Sequence, residues 1–190
     1  MSGPLPVVCL GRHGETAWTL SYQHTGVTDL PLTPGGEVEA VHLGELLAGR
    51  TFAAVFTSPL RRAARTCELA GYGSVAKVDP DLTEWNYGAY EGRTTAAIRE
   101  ERPTWDLWHD GTPAGEQLAD VASRCARVVA RAREVSGDVL VFAHAHVLRV
   151  LTACWLGVDP TLGAHLLLDP ATLSELGDDR GTPVIERWNS

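Results

Sequence analysis

The sequence predicts a three-layer α/β/α sandwich with a mostly parallel central sheet and helices on both faces. Two observations lead there. Short apolar runs alternate with helical patterns along the chain, the order expected of parallel βαβ units. The length of 190 residues, with 44% hydrophobic and 21% charged side chains, suits one domain with a sizeable core and is short for two. A single domain over 1–190 is therefore expected.

The elements follow in order. VVCL (7–10) reads as the first strand. In TPGGEVEAVHLGELLAG, Thr33 is an N-cap candidate with Pro34 at the first helical position, and Val38, Val41, Leu43, Leu46 and Leu47 suggest an apolar face. AAVFTS (53–58) is the second strand, and LRRAARTCELAG a helix ending at Gly71. SVAKV (74–78) is a short third strand. From about 79 to 115 the chain is rich in Trp, Tyr, Gly and Pro, with one helical piece at 95–101; such an irregular stretch suggests a lid or substrate segment. A long helix is expected at 116–135, then the strand DVLVFAHA and the helix HVLRVLTACWLG. HLLLD, TLSELG and PVIERW read as final strands, the last a sheet edge open to pairing in a homodimer.

Net charge −8 with pI near 5.3 argues against nucleic-acid or membrane-surface partners, though not against a small anion held by a local cluster of cations. No stretch has the length of a membrane span or the form of a secretion signal. Cys9, Cys67, Cys125 and Cys154 are scattered without metal or redox spacing, which reads as reduced thiols in a cytoplasmic protein.

In parallel sheets, ligands bind beyond the carboxyl ends of the strands. The first strand delivers Arg12 and His13, and the second Ser58 followed by Arg61 and Arg62. The third leads to Glu84, and the fourth delivers His144 and His146. Arginine forks suit a phosphoryl group's oxygens. A neutral imidazole is a nucleophile near pH 7, and a carboxyl group can protonate a leaving alkoxide.

RHGET, SPLRRA, LTEWNYG and AHAH, in that order, resemble the histidine phosphatase superfamily, also called phosphoglycerate mutase-like, over Val7 to about Trp155. The resemblance implies that His13 becomes phosphohistidine, with Arg12 and Arg62 holding phosphate. It implies a protonated His144 as second histidine, Glu84 as proton donor and Tyr87 facing substrate. Gln23, Thr25 and Gly26 would line the substrate side. Two departures stand out: Thr19 replaces a frequent asparagine, and Ala145 replaces a usual glycine beside the phosphate. QHTGVTDLPLTPGGE, EWNYGAYEG, WDLWHDGTPAGE and FAHAHVLRVL are similar to a phosphatase subgroup that includes yeast-type sedoheptulose-1,7-bisphosphatase and small bacterial acid phosphatases.

Plainer readings compete. Arg61 and Arg65 fit a solvated helix face. Glu15 and Glu91 compete with Glu84 as the acid. If His144 and His146 lay on one strand they would share a face, but nothing completes a metal ligand set. His24, His42, His109 and His165 read as surface residues, with His24 able to reach the pocket. Trp85, Trp105 and Trp108 suit either packing or a lid. The expected function is a phosphomonoesterase acting on small phosphorylated metabolites, with sugar phosphates preferred, through phosphohistidine and without metal or other cofactor. The alternatives are a cofactor-dependent phosphoglycerate mutase and a catalytically silent phosphate-binding protein.

Overall fold

A computed structural model describes residues 5–190. The strands are β1 (Val8–Arg12), β2 (Ala54–Thr57), β3 (Lys77–Val78), β4 (Val139–Ala143), β5 (Leu173–Asp179) and β6 (Thr182–Arg187). The helices are α1 (Ala17–Leu20), α2 (Pro34–Leu46), α3 (Arg61–Leu69), α4 (Thr95–Glu101), α5 (Leu107–Asp110), α6 (Leu118–Arg133) and α7 (Ala145–Leu156). One six-stranded sheet runs in the order β3-β2-β4-β1-β5-β6. The first four strands pair in parallel, and β5 and β6 complete the sheet antiparallel.

Alternation along the strands makes three layers, because successive side chains point to opposite faces. Val8, Leu10, Val139, Val141 and Ala143 pack in one core with Val121, Cys125, Val128, Leu148 and Leu151 of α6 and α7. Cys9, Leu140 and Phe142 pack in a second core with Leu43 of α2 and Cys67 of α3. As expected, Thr33 caps α2, its hydroxyl accepting from Gly36 N at 3.0 Å, with Pro34 at the first turn.

Several elements differ from the sequence reading. HLLLD is not a strand: a 3₁₀ turn runs from Pro160 to His165, and the place beside β1 is filled by β5. The Leu167 and Leu168 carbonyls instead accept from Trp188 Nε1 and Arg12. SVAKV shrinks to Lys77–Val78 because Val75 and Ala76 turn back to donate to Tyr72 O. Helices α1 and α5, each of four residues, are too short to show a period in sequence. Among the described residues no helix is long and apolar enough to cross a membrane.

The residue after His13 meets α2 backbone to backbone. A Cβ on Gly14 would lie 2.3 Å from Gly36 O, and one on Gly36 2.2 Å from Glu15 O. Alanine for glycine inside a helix ordinarily gains about 1 kcal/mol. Here the neighbours are main-chain atoms that cannot step aside, so Gly36→Ala is expected to reverse that sign and cost about 1–3 kcal/mol. Urea denaturation of the variant checks this; equal or greater stability would show that the contact yields.

Candidate active site

The register between β1 and β4 builds the site. Arg12 pairs with Ala143, so the residues leaving these neighbouring strands, His13 and His144, emerge side by side. His13 N donates to Ala143 O at 3.0 Å, and the two imidazole centroids lie 5.1 Å apart. On the far side of β4, Ser58 leaves β2 and its N–H bonds Phe142 O at 2.9 Å.

A cavity of about 260 Å³ opens here. Its floor is Arg12, His13, Glu84, Tyr87, Ala145 and His146. The outer wall is Trp18, Thr19, Tyr22, Gln23, His24 and Thr25, with Thr95 across from them. Arg62 and His144 are fully buried and do not line the cavity. Gly26 does not line it either; its N–H donates to Glu91 Oε1 at 2.8 Å, and a Cβ there would meet Trp85 O at 2.4 Å.

Hydrogen bonds decide the tautomers. Burial, with the charges of Arg62 and Arg12, holds the His13 pKa well below its ordinary 6.5. A neutral ring has one N–H, and Nδ1 lies 2.7 Å from Gly14 O, which can only accept. The proton is therefore on Nδ1, leaving the Nε2 lone pair free. His144 is neutral as well, depressed by burial and then by Arg62. Arg62 Nε donates to its Nδ1 at 3.1 Å, so its Nε2–H donates to Ser58 Oγ at 2.8 Å. The Arg62 guanidinium thus occupies the nitrogen that a second proton on His144 would need.

Arg12 donates to Leu168 O, while its buried Nε finds no acceptor among the described residues. Burial lowers its pKa to about 10, which leaves it a cation at neutral pH. An unpaired buried N–H of this kind favours an incoming anion. Glu84, 4% exposed, accepts from Trp85 N at 2.9 Å, His146 N at 3.0 Å and Val147 N at 2.9 Å, so it sits at the positive end of α7. The competing carboxylates are engaged elsewhere: Glu15 Oε1 accepts from Thr33 Oγ1 at 2.6 Å, and Glu91 Oε1 from Gly26 N and Thr28 N.

His144 and His146 do not share a strand face, since α7 begins at Ala145 and turns His146 away. His146 Nδ1 pairs with Tyr87 Oη at 2.7 Å, and its ring lies among Trp108, Tyr87 and Trp85 at 5.6, 5.8 and 6.4 Å. No group of three or more metal-ligating side chains occurs among the described residues. Trp85, Trp105 and Trp108 are core residues of the irregular segment rather than cavity lining. Thr19 lines the wall and also closes a reciprocal cap with Thr16. Trp18, Tyr22 and Thr95 are lining residues that sequence reasoning missed. Tyr22 holds a positive φ of 58° with no glycine to announce it, and Thr95 comes from a distant helix.

A cavity with an unfilled guanidinium donor beside an uncharged, oriented imidazole suits a group that carries charge on several oxygens and can be attacked at its centre. Fold and floor together define the class as phosphoryl-transfer enzymes. The chain belongs to the histidine phosphatase superfamily (branch 1), whose sequence model matches residues 8–190. It is 40% identical over 174 residues to a Mycobacterium tuberculosis protein named acid phosphatase, covering 90% of this chain and 85% of that one. It is 38% identical over 186 residues to sedoheptulose 1,7-bisphosphatase of Saccharomyces cerevisiae, covering 80% and 68%. A solved structure of a Mycobacterium tuberculosis open reading frame superposes with a TM-score of 0.92 at 36% identity, covering 97% of both chains. The chain is a phosphatase of this superfamily.

His13, His144 and His146 are all held neutral by burial, and His24 is lowered to about 4. Unfolding lets each take up a proton below about pH 6.5. The unfolded chain then binds more protons than the folded one, so stability is full above pH 6.5 and falls as the pH drops. Each such histidine adds up to about 1.4 kcal/mol per pH unit to the slope. Urea midpoints at pH 7.5 and 5.0 measure it, and His24→Gln is expected to make the loss shallower. Parallel losses in both proteins would contradict the assignment.

Proposed function

We propose that this protein hydrolyses phosphate monoesters of small hydroxylated metabolites, sugar phosphates among them, by way of a phosphohistidine at His13. The observation that carries the reading is the His13 tautomer. Nδ1–H is tied to Gly14 O, and Nε2 keeps its lone pair in a cavity shared with Arg12 and Glu84. The names of the acid phosphatase and bisphosphatase relatives support the substrate class.

In the first step His13 Nε2 attacks phosphorus and the P–O ester bond breaks, while the protonated Glu84 carboxyl gives its proton to the departing alkoxide. In the second, water attacks phosphorus, Glu84 takes the water's proton, and the P–N bond breaks to return neutral His13 and inorganic phosphate. Arg12 supplies the direct contact to the transferring oxygens. Arg62 acts from behind His144: its charge, with that of Arg12, opposes imidazolium at His13 and favours a phosphoryl group there. His144 holds the line between Arg62 and the pocket floor.

Phosphate release from sugar phosphates and an aryl phosphate, run in EDTA, tests the scheme. His13→Ala is expected to lose at least about 10³-fold in kcat, the scale seen when a nucleophile is deleted. Near-wild-type release would sink the assignment, and loss in EDTA alone would point to a metal mechanism. Glu84→Gln is expected to slow sugar phosphates about 10²–10⁴-fold and the aryl phosphate much less, because a phenolate needs little help to leave. Equal losses on both would deny Glu84 the acid role. Since the His13 pKa lies well below 6.5, kcat/KM should show no acid limb at 6.5; a limb there would mean that the nucleophile titrates as an ordinary histidine.

A further inference from the structure

The walls outside the phosphate floor differ from it in charge. Trp18, Tyr22, Gln23, His24 and Thr95 surround the space where an ester's alcohol must lie, and none is a lysine or arginine. His24 is neutral at working pH, and its Nε2 lies 3.2 Å from Thr95 Oγ1. The Gln23 amide is oriented at both ends, Nε2 donating to Gly92 O at 2.5 Å and Oε1 accepting from Ser21 Oγ at 2.5 Å. Tyr22 is 86% exposed at the lip.

The cations of neighbouring segments are turned elsewhere. Arg93, one residue from the Gln23–Thr94 bridge, is bound to Glu101 at 2.6 and 3.2 Å and to Ala97 O. Arg149 donates to Gly163 O and Ala164 O and lies 4.7 Å over the Trp108 ring. A carboxylate lies behind this side instead: the half-buried Glu91, outside the lining, has one buried oxygen, Oε2, with no partner among the described residues.

From this charge distribution, and resting on the hydrolytic reading above, we infer that the site takes phosphate monoesters of neutral polyols and rejects those with a carboxylate within two or three carbons of the ester. A hydroxyl there meets hydroxyl, amide and imidazole groups able to exchange hydrogen bonds, and a sugar's C–H face can lie against Trp18 or Tyr22. A carboxylate there would shed water and find no cation on these walls to replace it, with the Glu91 carboxylate close behind them. The cations thus serve the phosphoryl end alone.

Racemic glycerol 3-phosphate and racemic 3-phosphoglycerate test this, because they differ chiefly in a CH₂OH against a COO⁻ at one end. With p-nitrophenyl phosphate as control, kcat/KM is measured for all three at pH 7.5 and fixed ionic strength. Wild type is expected to favour glycerol 3-phosphate by at least about 50-fold, the range set by unpaired like charges. Thr95→Lys puts a cation on the wall and is expected to narrow the gap at least about 10-fold through KM for phosphoglycerate. Equal rates in wild type, or a gap that a folded lysine variant leaves unchanged, overturn the inference. Should the variant fail to fold, the wild-type ratio decides alone. If the aryl phosphate turns over while the gap is absent, the substrate class falls and the hydrolytic reading stands. If no ester is hydrolysed, both fall together.

Discussion

Arg62 has no exposed surface, so its guanidinium must be satisfied by protein. It is: Nε donates to His144 Nδ1, one terminal nitrogen to Thr28 O, and the other to Thr25 O and Gly26 O. Much of the site depends on this. The bond to His144 fixes which of its nitrogens carries hydrogen and keeps the ring neutral beside His13. The bonds to three carbonyls hold the 25–28 loop against the pocket, where Glu91 accepts its amides from the other side. A lysine could carry the charge but could not make these divergent bonds at once.

One helix end and one sheet register convert that anchor into a working cavity. β4 hands the chain to α7 at His144, and the first turn of α7 offers its unpaired amides to Glu84. One carboxyl group therefore both completes a helix and faces the cavity. Behind it, Tyr87 and His146 pair within a shell of tryptophans that belong to the same core as β1, β4, α6 and α7. Trp85 Nε1 bonds Glu116 O and Trp105 Nε1 bonds Gly111 O, which leaves neither indole with an unmet donor.

Much of this was legible in the sequence. Apolar runs gave away β1, β2 and β4 because strands buried on both faces read as continuous apolar stretches. Thr33-Pro34 announced α2 through capping chemistry. The motifs that resemble the superfamily brought His13, Arg12 and Glu84 to one cavity, and Thr19, Gln23, Thr25, Tyr87 and Ala145 line it with them. Illegible were contacts between distant segments. HLLLD has a strand's composition, yet β5 occupies the neighbouring edge of β1. His146 looked like a strand partner of His144 because only the chain path at Ala145 shows where the helix starts.

By itself, then, the sequence determined the order of the main strands and longer helices, the residue types at each strand exit and the superfamily, since each rests on local pattern or short motifs. The tertiary structure alone decided how those residues are used. It set Arg62 and His144 beneath the pocket instead of on its wall, chose the His13 tautomer and kept cations off the alcohol side. These depend on burial and on hydrogen bonds between residues as far apart as Arg62 and His144, or Glu84 and Val147. Such partners meet only when strands from different parts of the chain come into register.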